Sequence, residues 1–297
     1  MKILLTGVGG ILGSGFAATL RDHAVTILGR EALNVADPQG VVARVVTAQP
    51  DILINCAADT DVEGAERDPA SSHDANAVLP GLLAAGCMRV GALMTHFSST
   101  GCYGATKTTP YTEEDTPQPT TVYHRDKLAG EAAVAAAGGR YLILRTGWLF
   151  GGTPQHKKNF VWRRLLEARG QARMASDGTQ FGNPTFAGDL MRQTMALIAA
   201  GTEGVYNAVN SGEASRYDYV AALVAAAGLP CVVERSEAGF PRLAKVSPNE
   251  MARNARLDAL QLNIMPPWRE ALRAYVASLL ETEAWRSLDP ELKAAQA

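Results

Sequence analysis

Tyr123 and Lys127 stand four residues apart in Tyr123-His124-Arg125-Asp126-Lys127, where an Ala-rich stretch with helical spacing begins. On a helix that separation puts both side chains on one face. A tyrosine at its free pKa of ~10 is a poor acid near neutrality. An ammonium beside it lowers that value and makes proton transfer competent. The pair alone is common on exposed helices, and its meaning comes from a glycine-rich turn upstream. Thr6-Gly7-Val8-Gly9-Gly10-Ile11-Leu12-Gly13 follows the first apolar run and opens the first helix. Glycines at this spacing let backbone approach a pyrophosphate, and the helix N-terminus adds amide donors. Gly7, Gly10 and Gly13, with Ile11 and Leu12, are therefore expected to contact a dinucleotide. A third group, Ser98-Ser99-Thr100, ends the fourth apolar run. Any of these hydroxyls could hold a substrate carbonyl while Tyr123 delivers the proton.

These residues need a sheet to bring them together. Short apolar runs at Ile3–Thr6, Ala24–Leu28, Asp51–Asn55, Ala92–Phe97 and Tyr141–Arg145 alternate with helical segments at Gly13–Leu20, Pro38–Ala48, Ser71–Met88 and Tyr123–Ala137. That alternation predicts an α/β fold of the Rossmann type, a doubly wound parallel sheet whose ligands lie beyond the carboxyl ends of the strands. The second half is less regular. Helices are expected at Phe160–Arg169, Asp189–Ala199, Tyr217–Ala227 and Trp268–Glu281, and a strand at Gly204–Val209. Gly178–Pro184 and Phe240–Pro248 read as loops. The expected division is a dinucleotide-binding domain over 1–147 and a smaller substrate-binding lobe over 148–297, with about 187–210 returning to the first domain. The polar end, Ser287–Ala297, is expected to fray.

The 28 basic and 30 acidic residues among 297 leave a formal charge of −2, which speaks against nucleic acid or an anionic membrane as partner. No apolar run is long enough to span a bilayer, and the start shows no secretory pattern, so a cytoplasmic location is expected. Cys56, Cys87, Cys102 and Cys231 are scattered without a CxxC pair, so neither a zinc site nor a disulfide framework is expected. His23, His73 and His156 lack metal-ligand spacing and read as surface residues; no metal is expected. The second strand ends in Arg30, where NAD sites usually carry an acid. An arginine there can pair with a 2′-phosphate, so NADPH is the expected cofactor and NADH the alternative.

The chain resembles the extended short-chain dehydrogenases/reductases, and among them the dTDP-4-dehydrorhamnose reductase family. The likeness rests on Thr6–Gly13, Leu33–Asp37, Pro50–Thr60, Tyr123–Glu131, Leu144–Gly151, Gln180–Thr185 and Asn254–Asp258. It implies reduction of a nucleotide-linked 4-keto-6-deoxy sugar, with Tyr123 as proton donor, Lys127 as its partner and Ser99 as the catalytic hydroxyl. It further implies that Asn34 and Val35 lie near the adenine, and Ala57, Ala58 and Thr60 along the cofactor. Trp148 would pack on the sugar, with Thr100, Gln180, Phe181 and Asn183 in or beside the substrate pocket. A homodimer is compatible with it. Two departures sit beside the substrate. Thr100-Gly101-Cys102-Tyr103-Gly104 is closer to the strand end of nucleotide-sugar epimerases and dehydratases, and His124 stands where a glycine usually follows the tyrosine.

Those departures keep an epimerase or dehydratase as an alternative, and a non-catalytic NADP-binding regulatory subunit as another. Further expectations concern neighbours of the motif. His124 is expected at the pocket edge or in solvent, since successive helical residues do not share a face. Cys102 is expected to pack, for want of a base partner. The stretch Arg140, Arg145, His156, Lys157, Lys158, Arg163 and Arg164 could recognise a diphosphate or form a solvated helix start.

Overall fold

The computed structural model describes residues 1–288; most of the segment expected to fray lies outside the described residues. β1 (Lys2–Thr6), α1 (Ile11–Thr19), β2 (Ala24–Leu28), α2 (Pro38–Ala48) and β3 (Ile52–Asn55) form where the apolar runs and helical spacing predict them. The boundary of α2 has a local cause. Asp37 accepts a hydrogen bond from the Gly40 N–H at 2.9 Å, and Pro38 fills the first position, where no donor is needed. After them come α3 (Val62–Arg67), α4 (Pro69–His73), a π-helical turn (Asp74–Val78) and α5 (Leu79–Val90). β4 (Leu93–Ser99), a 3-10 turn (Thr100–Tyr103), α6 (Val122–Ala136) and β5 (Tyr141–Thr146) complete the first half.

The second half contains β6 (Trp148–Phe150), α7 (Phe160–Gly170), β7 (Arg173–Asp177), β8 (Phe181–Gly182), β9 (Pro184–Phe186) and α8 (Ala187–Ala199). It continues with β10 (Gly204–Asn207), β11 (Ala214–Ser215), α9 (Arg216–Ala226), β12 (Val232–Ser236), α10 (Ala255–Ala259), α11 (Trp268–Leu280) and α12 (Glu283–Arg286). Six strands make one parallel sheet in the order β10-β5-β4-β3-β1-β2. This is the expected Rossmann-type sheet. Alternation sends Ile3, Leu5, Ile54 and Phe97 to one face, against Phe16 of α1 and Leu190 and Leu197 of α8. Leu4, Leu53, Met94 and Ile143 face the other way, against Val41, Val45, Leu83 and Val134. Each such side chain contributes roughly 1.5–3 kcal/mol by burial. A separate cluster rich in aromatics, including Trp148, Phe150, Tyr219, Trp268 and Tyr275, forms the core of the second lobe.

Three local expectations change. Residues 178–184, read as a loop, contain β8 and the start of β9. β7 and β12, which pair in parallel, carry too few large apolar residues to announce themselves. The helix expected over 71–88 begins at Pro69 and is interrupted by the π turn. The turn has a tertiary cause. Asp126 of α6 accepts from the Ser72 hydroxyl at 2.6 Å, and Asn76 Nδ2 donates to the Asp59 carbonyl at 2.9 Å. The displaced Asn76 carbonyl then faces Gly130 of α6, where a Cβ would lie 2.1 Å from its oxygen.

Gly130→Ala therefore has to push α6 away from the π turn. The expected loss is about 1–3 kcal/mol, read from the urea midpoint. Gly170→Ala, which meets nothing within 4 Å, is the near-neutral control.

Candidate active site

The glycine loop is built for close approach. Gly7 has φ +68°, and a Cβ there would lie 2.3 Å from the Cys56 carbonyl carbon. A Cβ on Gly13 would lie 2.2 Å from the Gly7 oxygen. These two glycines let the loop fold onto the start of α1 and the end of β3. Gly9 and Gly10 are different: a Cβ at Gly9 meets nothing within 4 Å, and at Gly10 only the Gly7 oxygen at 3.4 Å. Their side of the loop faces open space. α1 starts from Gly10 with no side-chain cap and no acid in its first turn, so its amides and the positive end of its dipole are available to an anion. The cradle fits a dinucleotide pyrophosphate. Leu12 puts its side chain into the core and offers only backbone there; Ile11 is half-buried.

The other residues expected along the cofactor line the same carboxyl edge of the sheet. Arg30 and Asn34 are exposed beyond β2, and the Asn34 side chain accepts from the Ala36 N–H at 3.1 Å. Val35 and Ala57 pack on the core, while Ala58 and Thr60 are exposed beyond β3. Lys158 reaches across from the second half and donates to the Thr60 hydroxyl at 2.9 Å. Of the basic stretch, Lys158 meets the Thr60 side of this groove. Arg145 is instead buried in a bidentate pair with Glu131, at 2.9 and 2.6 Å, and Arg140 and Arg164 pair with Glu203 and Glu167. The stretch does not form one diphosphate cradle.

Thr121 caps α6 through the His124 N–H and so fixes where Tyr123 and Lys127 emerge. Tyr123 is half-buried and Lys127 is 2% exposed. Of the three candidate hydroxyls, Ser98 is buried against Cys102 at 3.7 Å and Thr100 is 1% exposed. Thr100, expected at the substrate, is thus enclosed by the 3-10 turn. Ser99 is half-exposed, and its oxygen accepts from the Gly101 N–H at 3.2 Å, which leaves its own proton free to point outward. One electrostatic expectation is reversed. Burial pushes the Tyr123 phenol above its ordinary value, with Cys102, Glu250 and Asp59 adding to the shift. Burial pushes Lys127 the other way, down to about 8. His124 is also not a solvated residue. It is 4% exposed, set edge-on to Tyr123, and bonded through Nδ1 to the Thr121 hydroxyl at 3.0 Å. A Cβ on Gly101 would strike its ring at 2.2 Å, so the two departures from the family pattern pack against each other. Cys102 is buried and its thiol is pushed up to about 12, in keeping with packing. His156, read as surface, is half-buried and bonded to Ser14 Oγ at 3.0 Å.

On the substrate side the sequence points to Trp148, Gln180, Phe181 and Asn183. Trp148 is 9% exposed, with the Arg216 guanidinium 3.4 Å from its ring centroid and its Nε1 donating to Glu250 at 2.6 Å. Its broad face is therefore partly taken by an arginine rather than left open to a sugar. Gln180 accepts from Arg216 Nε at 3.2 Å, and Phe181 is half-buried, its backbone bonded to Pro248 and Glu250. Asn183 has no free polar atom to offer. Its oxygen accepts from the Ala252 N–H and its nitrogen donates to the Gly212 carbonyl. Arg216 and Glu250 were not legible as site residues. Ser215-x-x-Asp218 marks a helix start, yet nothing in the sequence aims Arg216 at Trp148. Burial holds Arg216 down to about 10, and stacking on an indole compensates part of that desolvation. Among the described residues no cluster of three or more His, Cys, Asp or Glu could hold a metal.

His96 and His124 are both buried, and burial lowers both values. Below about 6.5 the unfolded chain binds protons at these rings that the folded chain does not. Stability is therefore expected to fall as pH drops from 7 toward 5, by up to roughly 1.4 kcal/mol per pH unit for each ring, as read from melting temperature against pH.

A family model, the RmlD substrate-binding domain, matches residues 1–281. A dTDP-4-dehydrorhamnose reductase from Mycolicibacterium smegmatis is 35% identical over 290 residues, covering 94% of this chain and 86% of that protein. The crystal structure of a dTDP-4-dehydrorhamnose reductase from Clostridium acetobutylicum superposes with a TM-score of 0.89 at 29% identity, over 94% of this chain and 99% of the other. A Bacillus anthracis dTDP-4-dehydrorhamnose reductase solved in complex with NADP gives 0.88 at 25% identity, over 93% and 99%. With its parallel sheet, its glycine cradle and the Tyr123–Lys127 helix beside it, the chain belongs to the RmlD family of extended short-chain dehydrogenases/reductases.

Proposed function

We propose that this protein is an NADPH-dependent reductase of a nucleotide-linked 4-keto-6-deoxy sugar, with a dTDP-linked substrate as in its named relatives. The observation that carries the reading is the convergence of the open Gly9–Gly10 cradle, the half-exposed Ser99 and the half-buried Tyr123 on one edge of the sheet. The cradle and α1 would hold the pyrophosphate, and Lys127 the nicotinamide end. Bound NADPH supplies the hydride for the sugar C4 carbonyl.

The chain's own groups do the rest. Ser99 donates its free proton to the carbonyl oxygen and polarises it. Tyr123 gives its proton to that oxygen as negative charge develops. The raised value of the phenol keeps it protonated until an alkoxide, a stronger base than a phenolate, appears beside it. Trp148, Arg216 and Gln180 form a wall that would orient the substrate. Residues 1–147 serve the cofactor and those from 148 onward mainly the substrate, with 187–210 packed back on the sheet.

Tyr123→Phe is expected to lower kcat by ~10²–10⁴ while NADPH affinity, measured by fluorescence titration, stays within a few fold. Unchanged turnover overturns the assignment. NADPH and NADH oxidation against a panel of nucleotide-linked 4-keto sugars tests the reaction itself. Net oxidation is required, whereas an epimerase would return its cofactor unchanged.

A further inference from the structure

Beneath Lys127 lies a polar row that the reduction as described does not use. Thr6, Asn55 and His96 occupy one register across β1, β3 and β4 and are at most 1% exposed. Their hydrogen bonds have a direction. The Thr6 hydroxyl donates to Asn55 Oδ1 at 2.6 Å, and the Ala57 N–H is shared between that atom at 3.1 Å and the Thr6 oxygen at 3.2 Å. Two converging donors identify it as the amide oxygen, because an NH2 there would face the Ala57 N–H. The other end of the amide, Nδ2, then donates to His96 Nδ1 at 3.2 Å. A ring nitrogen that accepts carries no proton, so the neutral imidazole holds its proton on Nε2. That nitrogen lies 3.4 Å from Lys127 Nζ. An N–H there requires a lone pair opposite it. An ammonium has none, and a neutral amine has one.

We propose that Asn55 and His96 are positioning residues that stabilise Lys127 as the neutral amine, so that this lysine exchanges a proton near neutrality instead of standing as a permanent cation. Its catalytic meaning rests on the ketoreductase reading. When the Lys127 ammonium returns a proton to the half-exposed Tyr123 phenolate by way of an intervening water, an N–H bond breaks at the lysine and the phenol O–H re-forms. The amine left behind is the form that His96 Nε2–H supports. The other groups facing Lys127 are Cys56 beyond β3, Cys102 from the 3-10 turn, and Glu131 and His124 from its own helix. Glu131 is engaged by Arg145 of β5. Among the described residues, His96 alone comes within hydrogen-bond distance of Nζ. Burial acts in the same direction, holding the lysine at about 8.

The test is an NMR titration of the whole protein labelled at lysine 13Cε, with the resonance assigned by its loss in Lys127→Met. The wild-type midpoint is expected near 8. In His96→Leu the amine loses its donor, and the midpoint is expected to rise by about one pH unit or more. An unchanged or lower midpoint overturns the proposal, because it means that His96 accepts from the ammonium. The imidazole 15N shifts of His96 in the wild-type protein at pH 9 give a second measurement that needs no variant. The Nε2–H tautomer supports the proposal, and the Nδ1–H tautomer overturns it. Neither readout involves turnover, so they fail independently of the ketoreductase reading, which Tyr123→Phe tests.

Discussion

A lysine has to sit almost without water at the carboxyl edge of the sheet, and much of the first half is arranged around that demand. Taking a cationic amine out of water costs several kcal/mol, so the helix that carries Lys127 must be held from several sides at once. Thr121 caps its start. Asp126 takes hydrogen bonds from Ser72 and His73. Gly130 lets the π turn close in, and Glu131 locks to Arg145 in a buried bidentate pair. The last three attachments face different elements, so α6 can neither slide nor roll without breaking one of them. The polar row from Thr6 to His96 is the floor on which the amine rests.

The second lobe follows a different logic. Its core is aromatic rather than aliphatic, with Phe150 packed on Phe186, Tyr219 and Tyr275. Rings of that size cover much surface with few torsions to fix. Several segments tie the lobe back to the cofactor half, among them the loops beside α3 and Tyr111. Lys158 reaches Thr60, and Glu63 of α3 accepts the backbone N–H groups of Leu243 and Ala244. Both contacts meet the segment that follows β3, while the Asn183 and Trp148 side chains have their own hydrogen bonds satisfied.

The sheet was largely readable because a strand covered on both faces has to be a continuous apolar run, and β1, β3, β4 and β5 are written that way. The start of α2 was readable because Asp37-Pro38 is a local signal. β7 and β12 were not, since each lies half in solvent and needs only one or two apolar positions. The π turn was invisible for a stronger reason: it is made by Asp126 and Gly130, more than fifty residues away in the chain. The site divides in the same manner. Tyr123, Lys127 and the glycines lie within short motifs whose chemistry depends on spacing. Arg216 and Glu250 flank Trp148 only because the second lobe folds. The direction of the Tyr123 shift depends on how much water burial removes, which no motif states. Of the hydroxyls at the end of β4, two turned out to be enclosed, and alternation along a strand does not continue into the 3-10 turn that encloses them.

Among the described residues the sheet ends at β2, with no further strand outside it, and Arg30 stands exposed just past that edge. A guanidinium in that position meets an anion through water-like dielectric, where a pair contributes at most about 1 kcal/mol and ions compete for it. Any preference for a phosphorylated ribose that draws on Arg30 is then a property of the solution as well as of the fold. It is largest in dilute buffer, smaller at the ionic strength of a cell, and smaller again in a salt-stressed one.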